Sequence, residues 1–287
     1  MRIAISISGE PRIFEEKCAE SFRGFCETLE SQDWVDEVHV YGHTWDHCKD
    51  QILKSTQNKL YNFNSSPIEE ITEWVKQDLN RLHNPLDKSI IALNNIENLL
   101  EYSTIYWAQH YGFIRGLDHV SNGYDYVIRW RWDNTVLEDP QVICNDIKSC
   151  LIEQPIKKDS SIIFFCKHSV VKINSPDKDV ISPVDHYFIM SRKFVENFKE
   201  RFWNGGNKKY FVYFEMLIQD LTKDVPPPRD HFLWHEMLRI KAPDDTIFSF
   251  SLNEGITMDR DRGWNTDDMK KSREQKVMDW YENNKRN

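Results

Sequence analysis

Arg2-Ile3-Ala4-Ile5-Ser6-Ile7-Ser8-Gly9-Glu10-Pro11-Arg12 opens the chain, and Glu37-Val38-His39-Val40-Tyr41-Gly42-His43-Thr44-Trp45-Asp46 follows some 25 residues later. The apolar and small side chains of residues 3–7 alternate with a period of two, which predicts a strand. Gly9 and Pro11 then break it. From Phe14 the spacing changes to Cys18, Phe22, Phe25 and Leu29, one face of a helix. Val38 and Val40 mark a second strand over 37–41 that runs out into Gly42–Asp46. Strand, helix, strand at this spacing is a βαβ unit, so the two strands are expected parallel with their trailing loops at one sheet edge.

Outward from this unit the pattern stays α/β. Residues 49–68 are polar and read as a surface excursion, and Pro67 precedes a helical face of Ile68, Ile71, Val75 and Leu79. A longer helix carries Ile96, Leu99, Leu100, Ser103, Trp107, Tyr111, Ile114 and Leu117 at three- and four-residue intervals. Ser121-Asn122-Gly123 ends it, and 124–131 reads as a strand. A helix over 142–151, a strand over 161–166 and a polar loop over 167–183 come next. Then follow a strand over 185–190, a helix from Ser191, helices over 210–221 and 230–239, a short strand over 246–250 and a terminal helix near 267–281. No repeat or flexible linker divides the chain, so one domain is expected.

Composition narrows the function classes. Of 287 residues 40% are hydrophobic and 29% charged, a globular balance. The 46 acidic and 37 basic residues give a net charge of −9, which argues against coating nucleic acid through phosphate contacts. Ten Trp serve either an aromatic core or a carbohydrate- or base-binding cleft. The six Cys (18, 26, 48, 144, 150 and 166) form no Cys-x-x-Cys pair and read as packed thiols. No signal peptide and no apolar run of about 18 residues is present, so a cytoplasmic location is expected.

In an open α/β sheet, ligands bind beyond the carboxyl ends of the strands. Ser8–Arg12, His43–Asp46 and 129–134 all fall there. Gly9 lets a ligand approach the backbone, and Arg12 can grip a phosphate; the plainer reading is an ordinary strand-to-helix turn. In Arg129-Trp130-Arg131-Trp132-Asp133, alternation puts Arg129, Arg131 and Asp133 on one side and both Trp on the other. Two arginines on one face of a central strand need acidic partners or an anionic ligand. A nucleotide diphosphate would supply that charge, with Asp133 holding a divalent metal; a structural Arg–Asp network is the alternative. His43, Thr44 and Trp45 either offer polar and stacking contacts or cap the sheet. Asp185 and Glu215 are candidates for a catalytic base. No Walker motif, Gly-x-Ser-x-Gly elbow or His-Glu-x-x-His is present.

The segments Ile7-Ser8-Gly9-Glu10-Pro11-Arg12, His43-Thr44-Trp45-Asp46, Tyr124–Asp133 and Asp185-His186-Tyr187-Phe188-Ile189-Met190-Ser191, in this order, resemble a group of bacterial and viral glycosyltransferase-like proteins. The resemblance implies a GT-A-like, Rossmann-like α/β fold with a mixed, mainly parallel sheet flanked by helices. It implies one glycosyltransferase-like domain over 1–287, with a nucleotide-sugar donor half at 1–140 and an acceptor half at 141–287. Donor contacts would come from Ser8, Gly9, Arg12, His43, Thr44, Trp45, Arg129 and Arg131. Asp133 would stand where the last carboxylate of the family's Asp-x-Asp metal motif belongs, holding Mn or Mg. Arg131 replaces the first carboxylate of that motif and can itself neutralise a diphosphate. The acceptor would be a glycan or glycolipid. Alternatives are a viral enzyme acting on modified DNA bases, and a non-catalytic nucleotide-binding protein.

Overall fold

The computed structural model describes residues 1–9, 11, 18–55, 60–67, 69–70, 111–153, 160–166, 170–171, 180–181, 187–204, 245–253 and 255–258. The opening βαβ unit is present: β1 (Arg2–Ser8), α1 (Ala19–Glu30) and β2 (Glu37–Trp45). β1 and β2 pair in parallel from Arg2↔Glu37 to Ser8↔His43. β2 runs four residues past the expected end, so His43, Thr44 and Trp45 are strand, not loop.

The stretch expected as a polar excursion contains α2 (Lys49–Ser55) and β3 (Asn62–Ser66). β3 is an edge strand of sequence Asn-Phe-Asn-Ser-Ser, paired in parallel with β2. Polar residues blunt a sheet edge, which is why this strand carries so little hydrophobic signal. A helical segment over 111–118, here α3, leads through the turn at Gly123 (φ 114°) into β4 (Tyr126–Arg131). Gly suits that left-handed turn, and the side chain of Arg2 donates to its carbonyl at 3.0 Å.

After β4 come β5 (Asn134–Val136), α4 (Pro140–Lys148) and β6 (Ile162–Cys166). Asp139 caps α4 by accepting from the Gln141 N–H at 2.8 Å, and Pro140 stands at the first helical position. The expected loop at 167–183 includes a small hairpin, β7 (Val170–Val171) with β8 (Val180–Ile181). β9 (Phe188–Ser191) enters α5 (Arg192–Asn204) directly, and β10 (Ile247–Leu252) and β11 (Ile256–Met258) follow. Of the expected helix over 68–79 only Glu69 and Glu70 are described, both helical; the first part of 96–117 and the expected helices over 210–221, 230–239 and 267–281 lie outside the described residues.

Seven strands form one open sheet in the order β10-β6-β9-β4-β1-β2-β3. β9 runs antiparallel to both neighbours, and the other pairings are parallel. The fold is thus α/β with a mixed, mainly parallel sheet, as expected. Helices cover both faces. On one, Ile3, Ile5, Ile7, Ile128, Trp130 and Trp132 pack with Phe22, Phe25 and Leu29 of α1 and Ile143 and Ile147 of α4. Trp130 stacks on Phe25 at 4.8 Å between ring centres. On the other face, Phe113 of α3 meets Phe188 and Phe198. All six cysteines are buried free thiols, consistent with their reading as packing residues. Among the described residues, no helix is long and apolar enough to cross a membrane.

α3 sits on the sheet through two glycines one turn apart. A Cβ at Gly116 would lie 3.0 Å from Ser6 Oγ and 3.3 Å from Ser8 Cβ, whereas one at Gly112 meets nothing nearer than 3.6 Å. Gly in a helix interior costs about 0.5–1 kcal/mol relative to Ala. Gly112→Ala is therefore expected to stabilise the fold by about that amount. Gly116→Ala is expected to lose about 1–2 kcal/mol, because the strand beneath holds Ser8 in place. Urea denaturation of the two variants checks the difference in sign.

Candidate functional site

Strands β1, β2, β3 and β4 all point one way, so Ser8, Trp45, Ser66 and Arg131 end at a single sheet edge. Register gives the arrangement its detail. At the last rung Ser8 lies between His43 on β2 and Arg131 on β4; two residues earlier Ser6 lies between Tyr41 and Arg129. Side chains two apart share a face. Ser6, Ser8, His43, Arg129 and Arg131 therefore form a polar layer on the α3 side of the sheet, all less than 9% exposed. Buried polar groups of this density are unusual unless they serve a network or a ligand.

Arg131 has an acidic partner. Its Nε and Nη2 each donate to one carboxylate oxygen of Asp133, both at 2.8 Å. The two side chains are 8% and 3% exposed. This is the bidentate geometry that a guanidinium and a carboxylate favour. Arg129 is held differently: its Nη1 donates to the carbonyls of Ser8, at 3.3 Å, and Trp130, and its guanidinium lies over the Phe113 ring at 5.4 Å.

The same geometry bears on a metal. Asp133 offers hard oxygen ligands, but both oxygens already accept from Arg131. Among the described residues no three His, Cys, Asp or Glu side chains gather around a common point. Mn and Mg need several oxygen ligands, and the described residues do not fit such an ion at Asp133.

The β2 end is locked in place. Thr44 Oγ1 donates to the Gly9 carbonyl at 2.9 Å, joining β2 to the turn where Gly9 adopts φ 119°. Trp132 Nε1 donates to the His43 carbonyl at 2.9 Å from the other side. Trp45 is 3% exposed, stacked against Tyr111 and edge-on to His43, so its indole packs under α3. Nearby, Glu70 accepts from Tyr111 Oη at 2.7 Å and Arg115 Nη2 at 2.9 Å. Burial pushes the Glu70 carboxyl up, but these two hydrogen bonds, the Arg115 charge and a hydrogen bond from Ser66 together outweigh it and leave it below its usual range.

His43 is strongly perturbed. It is 0% exposed, and Nε2 lies 3.1 Å from Ser66 Oγ. Burial first, then the neighbouring His119 and Arg115, hold its pKa down to about 3. The unfolded histidine takes up a proton near pH 6.5 and the folded one does not, so stability is full above that pH. It falls as pH drops from there toward 3, by roughly 1.4 kcal/mol per pH unit. Between pH 7 and 5.5 the native chain is expected to lose roughly 1 kcal/mol more stability than His43→Gln, measured by denaturant midpoint at each pH.

Of the residues expected at the donor site, Ser8, Gly9, His43, Thr44, Trp45, Arg129, Arg131 and Asp133 come together at this edge. Arg12, Asp185 and Glu215 lie outside the described residues. Ser66, Glu70, Arg115 and the pair Gly112 and Gly116 were not anticipated. The four-residue glycine spacing inside a helical pattern was the available signal for the last two.

No protein-family model matches the chain, and no curated protein matches it significantly in sequence. Among solved structures, similarity is found to mouse xyloside xylosyltransferase 1, 7% identical, covering 86% of this chain and 83% of that one at a TM-score of 0.37. Another is 4-diphosphocytidyl-2C-methyl-D-erythritol synthase of Anaerococcus prevotii, 10% identical over 88% and 91% of the two chains at 0.36. A third is the galactosyltransferase LgtC, solved with donor and acceptor sugar analogues, 10% identical over 86% and 73% at 0.38. Likenesses this distant assign no family.

Proposed function

We propose that the chain is a glycosyltransferase that moves a sugar from a nucleotide-diphosphate donor to a hydroxyl of a glycan or glycolipid. The observation that carries this reading is the last rung of the sheet, His43–Ser8–Arg131, where three parallel strands deliver an imidazole, a hydroxyl and a guanidinium to one edge. The sequence resemblance at these same segments supports it.

In such a transfer the acceptor oxygen attacks the anomeric carbon, and the bond from that carbon to the diphosphate oxygen breaks. The electron pair leaves with the diphosphate, and the acceptor proton passes to a base. Asp185 and Glu215 remain the candidates for that base. Negative charge grows on the leaving group, and fixed cations stabilise it best when they need no rearrangement. Asp133 supplies that fixity by clamping Arg131 through two hydrogen bonds. We assign the charge stabilisation to Arg131 and Arg129 and route no step through a metal.

The closed Arg131–Asp133 pair also favours a second reading, a protein that binds nucleotides without turning them over. The net charge of −9 counts against a DNA acceptor. Thermal-shift measurements with UDP, GDP, CDP and their sugars, followed by donor hydrolysis with and without manganese, test the proposal. One nucleoside diphosphate is expected to raise the melting temperature, and its sugar to be turned over without manganese. Binding with no turnover under either condition would select the second reading, and no binding would remove both.

A further inference from the structure

A cavity of about 230 Å³ opens at the opposite edge of the sheet, where β4 begins. It lies between the turn that follows α3 and the first two turns of α5. Val120, Val127 and Val195 give it an apolar floor, the Tyr124 ring one wall, and two cations, Arg192 and Lys199, line it together with one carboxylate, Glu196. None of these residues belongs to the His43–Ser8–Arg131 edge.

The wall is built to stay in place. Arg2 donates to the Gly123 carbonyl at 3.0 Å and its guanidinium lies over the Tyr124 ring at 5.3 Å. Tyr124 Oη shares hydrogen bonds with Tyr41 Oη at 2.8 Å and His39. Tyr41 Oη in turn reaches Ser121 Oγ at 2.9 Å.

The charges are less settled than the wall. Arg192 Nε is 3.8 Å from Glu196 Oε1, beyond hydrogen-bond range. Lys199 forms no ion pair with a described residue, and burial lowers its pKa despite the pull of Asp118 and Glu196. A half-buried ammonium over an apolar floor gains most from an anion that brings its own apolar body.

We infer that this cavity is a second binding site, for a small carboxylate with a short branched apolar tail, held by Lys199 and Arg192 over the three valines. Its carboxylate faces the two cations and its tail fills the floor. The volume suits a compact metabolite, and the lining residues set the site apart from the donor edge. It stands whether or not the proposed transfer is correct.

Isobutyrate and inorganic phosphate serve as probes, titrated against the full chain with the melting temperature as readout. Isobutyrate is expected to raise the melting temperature saturably, and phosphate to do so at least tenfold more weakly, since it cannot use the apolar floor. Lys199→Ala is expected to weaken isobutyrate about tenfold. Lys193→Ala, whose lysine pairs with Asp245 at 2.8 Å, is expected to leave it unchanged. Val195→Phe, which fills the cavity, should abolish binding independently of charge. The absence of a saturable response to isobutyrate would overturn the inference. So would equal strength for phosphate, or unchanged isobutyrate affinity in both Lys199→Ala and Val195→Phe.

Discussion

Asp133→Ala is expected to destabilise the fold by about 3–5 kcal/mol, because it strands the Arg131 guanidinium in a buried site without its carboxylate. The pair is nearly inaccessible, and both carboxylate oxygens are engaged at 2.8 Å. The buried geometry makes Asp133 a structural partner of Arg131 as well as a candidate site residue. Replacing both partners with apolar residues, Arg131→Met with Asp133→Leu, is expected to be close to neutral in stability, since no charge is then left uncompensated. Donor binding should nonetheless disappear in the double variant. Urea denaturation of the single and double variants, with a nucleoside diphosphate titrated into the double, separates the two roles. A double variant as unstable as Asp133→Ala would show that the pair does more than cancel charge.

Trp132→Ala is expected to have a comparable effect, about 3–5 kcal/mol. The indole is fully buried and packs where a Cβ on Gly42 would come within 3.2 Å of its ring. Its Nε1 holds the His43 carbonyl at 2.9 Å. Truncation opens a cavity and removes that hydrogen bond together. Trp132→Phe keeps most of the volume and loses the donor, so about 1–2 kcal/mol is expected from the carbonyl left without it. Denaturant midpoints give both values. An alanine variant no worse than the phenylalanine one would mean that the site around Trp132 collapses on truncation.

The parts of the fold that were legible are those where burial and periodicity coincide. Ile3, Ile5 and Ile7 alternate because one face of β1 meets α1, and Phe22, Phe25 and Leu29 recur at helical spacing because they answer it. The same alternation placed Arg129, Arg131 and Asp133 apart from Trp130 and Trp132. β3 was not legible: Asn62–Ser66 is an edge strand with little to bury, and its polar residues read as loop. β5 and β11 escaped for a different reason. Each is three residues long and exists through its antiparallel partner, which no local pattern reveals.

For the candidate site, the sequence showed which residue types cluster but not how they are satisfied. Two arginines and an aspartate two residues apart fit a ligand cradle and an internal ion pair equally well. Rotamers decided that Arg131 and Asp133 bind each other, and rotamers have no sequence signature. His43 shows the converse. Its buried position, and with it the depressed pKa, follows from Gly112 and Gly116 letting α3 lie close on β1 and β2.

The central claim is that a nucleoside diphosphate binds across the ends of β1, β2 and β4. A crystal structure with the diphosphate that gives the largest thermal shift tests this most directly. The account predicts density beside Ser8 and Gly9, with phosphate oxygens within hydrogen-bond distance of Arg131. A nucleotide bound at any other part of the molecule, with that edge empty, would contradict it.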